Sequence, residues 1–329
     1  MWFRKLYKRC LGRSATTSSV RSPAPRRRGL RLTLERLEDR TVLSNFTAAS
    51  VSDLIANINA ANLTPEADTI ALVAGKTFTL TAADNTTDGA TGLPAIAATE
   101  NLTMVGNGDV IERNTATGTP AFRLFDVAAG GALTLTNLTL QGGLAFSWWA
   151  QGGAILNHGS LFLDGVTVQN NTAEGGTAVW GQPAAGGGIY SSGSLTLQGC
   201  TIRMNQAVGG QGASGAVCHE GDWICFGPSG KPGGSAYGGG VYVGGGTAAI
   251  SNSSFISNSV QGGDGGNARG NAGGGNGGNG FGGGLYVAGG TVLVHSTTVS
   301  GNSAKGGNGG RGFRGSADGD AGQGVGGCI

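Results

Sequence analysis

Residues 160–173 read SLFLDGVTVQNNTA, and the block returns as SLTLQGCTIRMNQA at 194–207, TAAISNSSFISNSV at 247–260 and TVLVHSTTVSGNSA at 291–304. An earlier copy, ALTLTNLTLQGGLA at 132–145, carries Gly143 where the others have Asn. Within each copy apolar and polar residues alternate, the period of a strand with one buried face. Superposing the copies stacks Leu161, Leu195, Ala248 and Val292 in one file and Leu163, Leu197, Ile250 and Val294 in a second. Val168, Ile202, Phe255 and Val299 form a third. Short strands whose like residues stack copy on copy describe a solenoid of parallel sheets. The expected fold is all-β: a parallel β-helix, right-handed by the usual crossover preference.

A second signal precedes the blocks. The tetrad Gly-Gly-x-aliphatic occurs at 152–155, 186–189, 238–241, 282–285 and 326–329, with Ile155, Ile189, Val241 and Leu285 as a fourth file. The spacing between tetrads varies, and the variation falls in segments 174–185, 208–237, 261–281 and 305–325. Residues 262–280, GGDGGNARGNAGGGNGGNG, typify them. Such segments bury little apolar area, while ordering backbone costs about 1–2 kcal/mol per residue. They are expected to be mobile, loosely packed glycine-rich loop insertions.

Composition restricts function as well. Of 67 Gly, 59 lie in the last 200 residues without a strict third-position period, which excludes a collagen triple helix. No apolar run is long enough for a membrane-spanning helix. Residues 1–44 carry a net charge of +9 and the remainder −7. An acidic body is a poor partner for nucleic-acid phosphates. The N-terminal basic block lacks the apolar core of a secretory signal. Its LERLEDRTVLS at 34–44, however, resembles a segment near the start of many large extracellular proteins of planctomycete bacteria, which implies an export-associated leader. Three regions are therefore expected: an unstructured leader over 1–44, an N-terminal cap and first coils over 45–131, and glycine-rich repeats over 132–329.

Within 45–131, Ser50 and Asp53 make a capping box for a short helix, Leu54 to Asn62, suited to cover the first coil. Strand-like runs follow at Thr69–Val73, Thr77–Thr81, Asn101–Val105 and Phe122–Val127. This order, with the Gly-Gly-x-Ile and Asn-containing blocks after it, is similar to secreted bacterial β-helix proteins related to chlamydial polymorphic outer membrane proteins. That resemblance spans roughly residues 50–329 and implies a secreted or cell-surface (outer-membrane) protein. The β-barrel that ends those relatives has no counterpart here.

Three sets of residues are candidates for special roles. Asn171, Asn205, Asn258 and Asn302 recur at matching corners and are expected to stack as a structural ladder. Tyr190, Tyr242 and Tyr286 follow the tetrads on the face turned from the core and are candidates for an exposed aromatic ladder, with a sugar platform as its functional form. Cys218 and Cys225 bracket His219, Glu220 and Asp222 in the longest insertion. A disulfide, a metal site and free thiols are all open for that pair, the disulfide being the simplest in an exported protein. Cys200 is expected in a core-facing file and Cys328 occupies the last tetrad.

No catalytic, cofactor or metal residues are assigned. Gly262 to Asn267 departs from the calcium-binding nonapeptide, because Asn267 and Arg269 stand where Asp and a large apolar residue are required. The acids between 127 and 263 are only Asp164, Glu174, Glu220 and Asp222, and His158, His219 and His295 are isolated. The expected function is a non-catalytic surface scaffold or adhesin with glycans or envelope proteins as partners. The alternative is a polysaccharide lyase or glycoside hydrolase, which needs clustered acids. Because Ile329 falls inside a tetrad, the chain is expected to be a fragment or to self-associate through an open final coil.

Overall fold

The computed structural model describes residues 44–64, 66–177, 179–216, 229–269 and 271–328. Residues 1–43 of the expected leader, the Cys218–Cys225 pair and Ile329 lie outside them. The described chain is nearly all β, with five parallel sheets and one short helix in a solenoid-like arrangement. No helix among the described residues is long and apolar enough to cross a membrane.

Sheet I has eight strands, from Asn45–Ala48 through Ala67–Leu72, Asn101–Val105, Ala132–Thr136, Ser160–Asp164, Ser194–Gln198 and Thr247–Ser251 to Thr291–His295. Sheet II has seven: Thr77–Leu80, Val110–Arg113, Thr139–Gln141, Thr167–Gln169, Thr201–Arg203, Ser254–Ile256 and Thr298–Ser300. Sheet III comprises Leu144–Ser147, Thr172–Gly175, Gln206–Val208, Ser259–Gln261 and Ser303–Lys305. Sheet IV is built from the two-residue strands Ala150–Gln151, Ala184–Ala185, Ala236–Tyr237, Gly280–Phe281 and Gly324–Val325. Sheet V holds Phe125–Val127, Ile155–Asn157, Ile189–Ser191, Val241–Val243 and Leu285–Val287. From residue 125 the chain visits sheets V, I, II, III and IV in turn.

Register follows the apolar files. Leu161 pairs with Leu195, Leu195 with Ala248 and Ala248 with Val292. Val168, Ile202 and Phe255 are likewise in register. These residues and Ile155, Ile189 and Val241 form one continuous core bounded by sheets I, II and V. Each fully buried aliphatic contributes about 1.5–3 kcal/mol, so the files stabilise every circuit they pass through. The helix Val51–Ala61 starts at Ser50, whose hydroxyl accepts the Asp53 amide at 3.1 Å, and puts Leu54, Ile58 and Ala61 into the same core. Sheet I crosses residue 131 without a break, since Asn101–Val105 pairs with Ala132–Thr136.

A smaller core lies between sheets III and IV and is almost pure alanine: Ala145, Ala150, Ala173, Ala184, Ala207 and Ala236, with Val260. The tetrads separate it from the main core. Their first glycines, at 152, 186, 238 and 282, have φ of 61–67°, a region closed to most side chains. A Cβ on the second glycine would strike backbone: Gly187 lies against the Gln206 carbonyl, Gly239 against that of Ser259 and Gly283 against that of Ser303. Each of those partners directly follows a ladder Asn. Tetrad and ladder thus pinch the section into two lobes.

Over their described residues the glycine-rich segments are not loosely packed loops, which corrects that expectation. Residues 262–268 run out from sheet III and 274–280 run back to sheet IV, both hydrogen bonded at a three-residue period. Gly262, Gly265 and Ala268 donate to Lys305, Asn308 and Arg311 of the next circuit at 2.8–2.9 Å. Gly263 and Gly266 donate to Gly234 and Lys231 of the preceding return leg, both at 2.8 Å. Gly275 and Gly278 donate to Gly266 and Gly263 of their own outgoing leg. Bonds between legs at a period of three match extended helices of the polyproline-II type, which have no internal bonds. Apolar burial is not what holds these segments. The legs are held by amide–carbonyl bonds that form because glycine lets backbones touch: a Cβ at Gly263 would overlap the Gly210 carbonyl, and one at Gly278 the Gly234 carbonyl. Side chains occupy the third positions, where Asp264 and Asn267 accept the amides of Asn308 and Arg311 at 2.7 and 2.8 Å.

Candidate functional site

The four Asn form a bonded file at the corner between sheets II and III. Asn171 Nδ2 donates to Asn205 Oδ1 at 3.0 Å, Asn205 Nδ2 to Asn258 Oδ1 at 3.0 Å, and Asn258 Nδ2 to Asn302 Oδ1 at 2.9 Å. Each Oδ1 also accepts the backbone amide of the preceding member. Gly143, in the Asn-less copy, donates its amide to Asn171 Oδ1 at 2.9 Å. Asn171, Asn205 and Asn258 are wholly buried. Their polar atoms are spent on one another and on carbonyls of sheet II, so this file holds the corner and offers nothing to a ligand.

The tyrosines stack, with Tyr190 and Tyr242 at 4.9 Å and Tyr242 and Tyr286 at 5.7 Å between ring centroids. The expectation of an exposed ladder is corrected at Tyr190, which is 8% exposed. Tyr190 packs with Leu156 and Ala185 and meets the edge of His158 at 6.1 Å, while a second aromatic file from sheet IV, Tyr237 and Phe281, stacked at 5.4 Å, leans on Tyr286 at 5.2 Å beside the half-buried end of the ladder. The strand that returns from the glycine legs folds over the tyrosines. They turn away from the main core as their alternation requires, but into a satellite cluster with Leu156 and Ala185.

Exposed aromatics lie elsewhere. Phe146, Trp148, Trp149 and Trp180 are 52–71% exposed, all in the first two turns of the small lobe. Phe146 starts an outward file on sheet III that continues in register through Glu174, Val208, Gln261 and Lys305. Strand spacing of about 4.8 Å makes this file about 19 Å long. Beside it runs a cleft of about 490 Å³. Its floor is glycine backbone at 209, 210, 262 and 263, and its polar lining is Glu174, Thr177, Gln211, Gln261, Asp264 and Asn308. A second cleft of about 240 Å³, lined by Phe146, Trp148 and Gln182, shares Thr177 with the first. The two clefts adjoin at Thr177 as a groove that is aromatic on one side and amide-rich on the other. The glycines that let the legs touch also leave its floor without side chains.

Of the acids weighed in the sequence, Glu174 lines this groove and Asp164 does not. Asp264 also lines it, with Oδ1 tied to the Asn308 amide at 2.7 Å and to Asn308 Nδ2 at 3.1 Å. Among the described residues no group of three or more His, Cys, Asp or Glu is placed to hold a metal ion. Cys200 is buried, and burial pushes its thiol up to about 11; Cys328 is exposed and free.

Charged groups are also buried near the start of sheet V. Asp126 is fully buried with neither carboxylate oxygen hydrogen bonded, and desolvation raises its pKa against the opposing pull of Arg123. Arg123, 4% exposed, spends Nε on the Gln151 carbonyl and Nη1 on that of Asp88. Neither group lines the two clefts, and Arg123 ties the backbone at 88 to that at 151. No family model, curated protein or solved structure matches the chain.

Proposed function

We propose that this chain is a right-handed parallel β-helix of the secreted or cell-surface kind, and that it binds glycan without cleaving it. Strand order, register and the strong preference for right-handed crossovers support the helix and its hand. The basic N-terminal block and the LERLEDRTVLS resemblance support export and the kinship with secreted bacterial repeat proteins.

The observation that carries the binding reading is the groove. Exposed aromatic rings offer apolar faces to the C–H faces of sugars, while Gln211 and Asn308 can both donate to and accept from hydroxyls and Gln261, whose Nε2 serves the Gly262 and Gly306 carbonyls, can accept through Oε1. A glycan screen scoring Trp fluorescence change and release of reducing or unsaturated ends together tests it. Binding without release is expected. Release that is abolished by Glu174→Gln would overturn the non-catalytic reading.

The enzyme alternative rests on Glu174 and Asp264 sharing one cleft. Paired carboxylates serve glycoside hydrolysis when one of them is free to take or give a proton. Asp264 instead holds two hydrogen bonds to Asn308 on the next circuit, a structural task that favours binding.

A further inference from the structure

We infer that the groove selects uncharged polysaccharide and rejects polyanionic glycan, with Glu174 as the specificity-determining residue; this rests on the glycan-binding reading above. Among the described residues the groove's ionisable lining is all of one sign, Glu174 and Asp264, and no described Lys or Arg lines either of its two clefts. Lys305 lies in register with Gln261, on the same circuit as the lining residue Asn308, at the far end from the rings and outside the lining itself. Arg311 is bound through its backbone amide to Asn267, a triplet farther along the leg. A uronate or sulfated chain laid along the groove would bring a negative charge past Glu174, one strand from the aromatic end of the file, with no cation among the described lining residues to answer it. Like charges in a half-buried cleft repel more strongly than in open water. A neutral chain meets the same lining without charge repulsion, and its hydroxyls can donate to the carboxylates. Glu174 has its carboxylate uncommitted to any described hydrogen bond, whereas Asp264 is held by Asn308, so Glu174 can be changed without unlocking the legs.

Affinity electrophoresis of the full chain tests this, with glucomannan and hydroxyethylcellulose as neutral probes and polygalacturonate and alginate as anionic ones. The expected result is retardation by at least one neutral probe and at least tenfold weaker retardation by both anionic ones. Glu174→Gln should narrow that gap several-fold by strengthening retardation on the anionic probes. Added salt should narrow it in the parent, since charge repulsion is screened over about 10 Å at 0.1 M. Trp148→Ala, at a 71% exposed position, should weaken neutral retardation about tenfold. Equal or stronger retardation by the anionic probes, or a gap insensitive to both Glu174→Gln and salt, would overturn the selectivity and leave glycan binding standing. Retardation by none of the four probes, with the circular dichroism of a folded strand protein, would overturn both.

Discussion

Truncating Asn205 to alanine removes the centre of the corner file. Its Oδ1 accepts the Asn171 amide at 3.1 Å and Asn171 Nδ2 at 3.0 Å, and its Nδ2 serves the Val168 carbonyl at 2.9 Å and Asn258 Oδ1. Asn171 Nδ2 keeps the Gln169 carbonyl at 2.9 Å, and Asn258 Oδ1 keeps the Asn205 amide. The Asn171 amide keeps nothing. An orphaned buried donor costs about 1–3 kcal/mol, and the emptied space adds about 1 kcal/mol. The expected loss is about 2–4 kcal/mol. Asn302→Ala orphans the equivalent Asn258 amide, but Asn302 is only half-buried and water can reach the site, so its loss should be less than half as large. Asn205→Asp should be worse than alanine at neutral pH, because a carboxylate oxygen then faces two acceptors. Urea unfolding of the full chain, followed by far-ultraviolet circular dichroism, gives the ranking. Solenoids can open in parts, so native-state hydrogen exchange at the Asn171 amide localises the effect. A loss under about 0.5 kcal/mol for Asn205→Ala, or one equal to that of Asn302→Ala, would refute the claim that the file holds the corner.

Gly263→Ala forces a Cβ onto the Gly210 carbonyl and should destabilise by about 3 kcal/mol or expel the leg, whereas Asn267→Ala on the same leg should cost under about 1 kcal/mol; thermal melts compare them. Glu100 is buried with both carboxylate oxygens unbonded, and desolvation, reinforced by Asp68, raises its pKa from 4.5 to about 7. The folded state therefore holds this proton more tightly than the unfolded chain, so the group's contribution is fully present below 4.5 and is lost as pH rises through about 7. Glu100→Gln should flatten that part of the Tm-against-pH profile and raise Tm at pH 8. Iodoacetamide should label Cys328 in the native protein and leave Cys200 unmodified until denaturant is added, as peptide mass spectrometry would show.

The coil was legible in the sequence because its signals repeat. Leu163, Leu197, Ile250 and Val294 carry the strand period copy after copy, and the recurring Asn marks a corner that hydropathy alone would miss. The cap helix was equally plain, since Ser50 and Asp53 have local capping chemistry. Val110–Arg113 was missed because Glu112 and Arg113 disguise its alternation. There Arg113 faces inward and spends its guanidinium on the carbonyls of Thr119, Pro120 and Gly142. The glycine legs were misread for a different reason. Hydrophobic periodicity says nothing about segments held by backbone contact, although the Gly-Gly-x triplets of 262–267 and 306–311 carried the period. The rings of Trp148, Trp149 and Trp180 left no trace in the repeat comparison, because each occurs in one circuit only. The burial of Tyr190 comes from long-range contacts with Leu156, Ala185 and His158, which no local pattern encodes.

The out-and-back legs have a quantised length. One more triplet on the outgoing side and one on the return side would place new amides opposite new carbonyls in the same rhythm, while the anchoring ends at sheets III and IV stay where they are. The projection can therefore lengthen or shorten by matched triplets without disturbing the apolar files, and a single inserted residue cannot be absorbed that way. It would rotate every later glycine off its contact and swing a side chain into a neighbouring backbone. Over the described residues, the last two circuits keep this discipline: outgoing 262–268 and 306–312, and returning 274–280 and 318–324, align at a constant offset of 44 residues. Reach away from the coil is thus a separate variable from the coil itself, adjustable in steps by a sequence as plain as Gly-Gly-Asn.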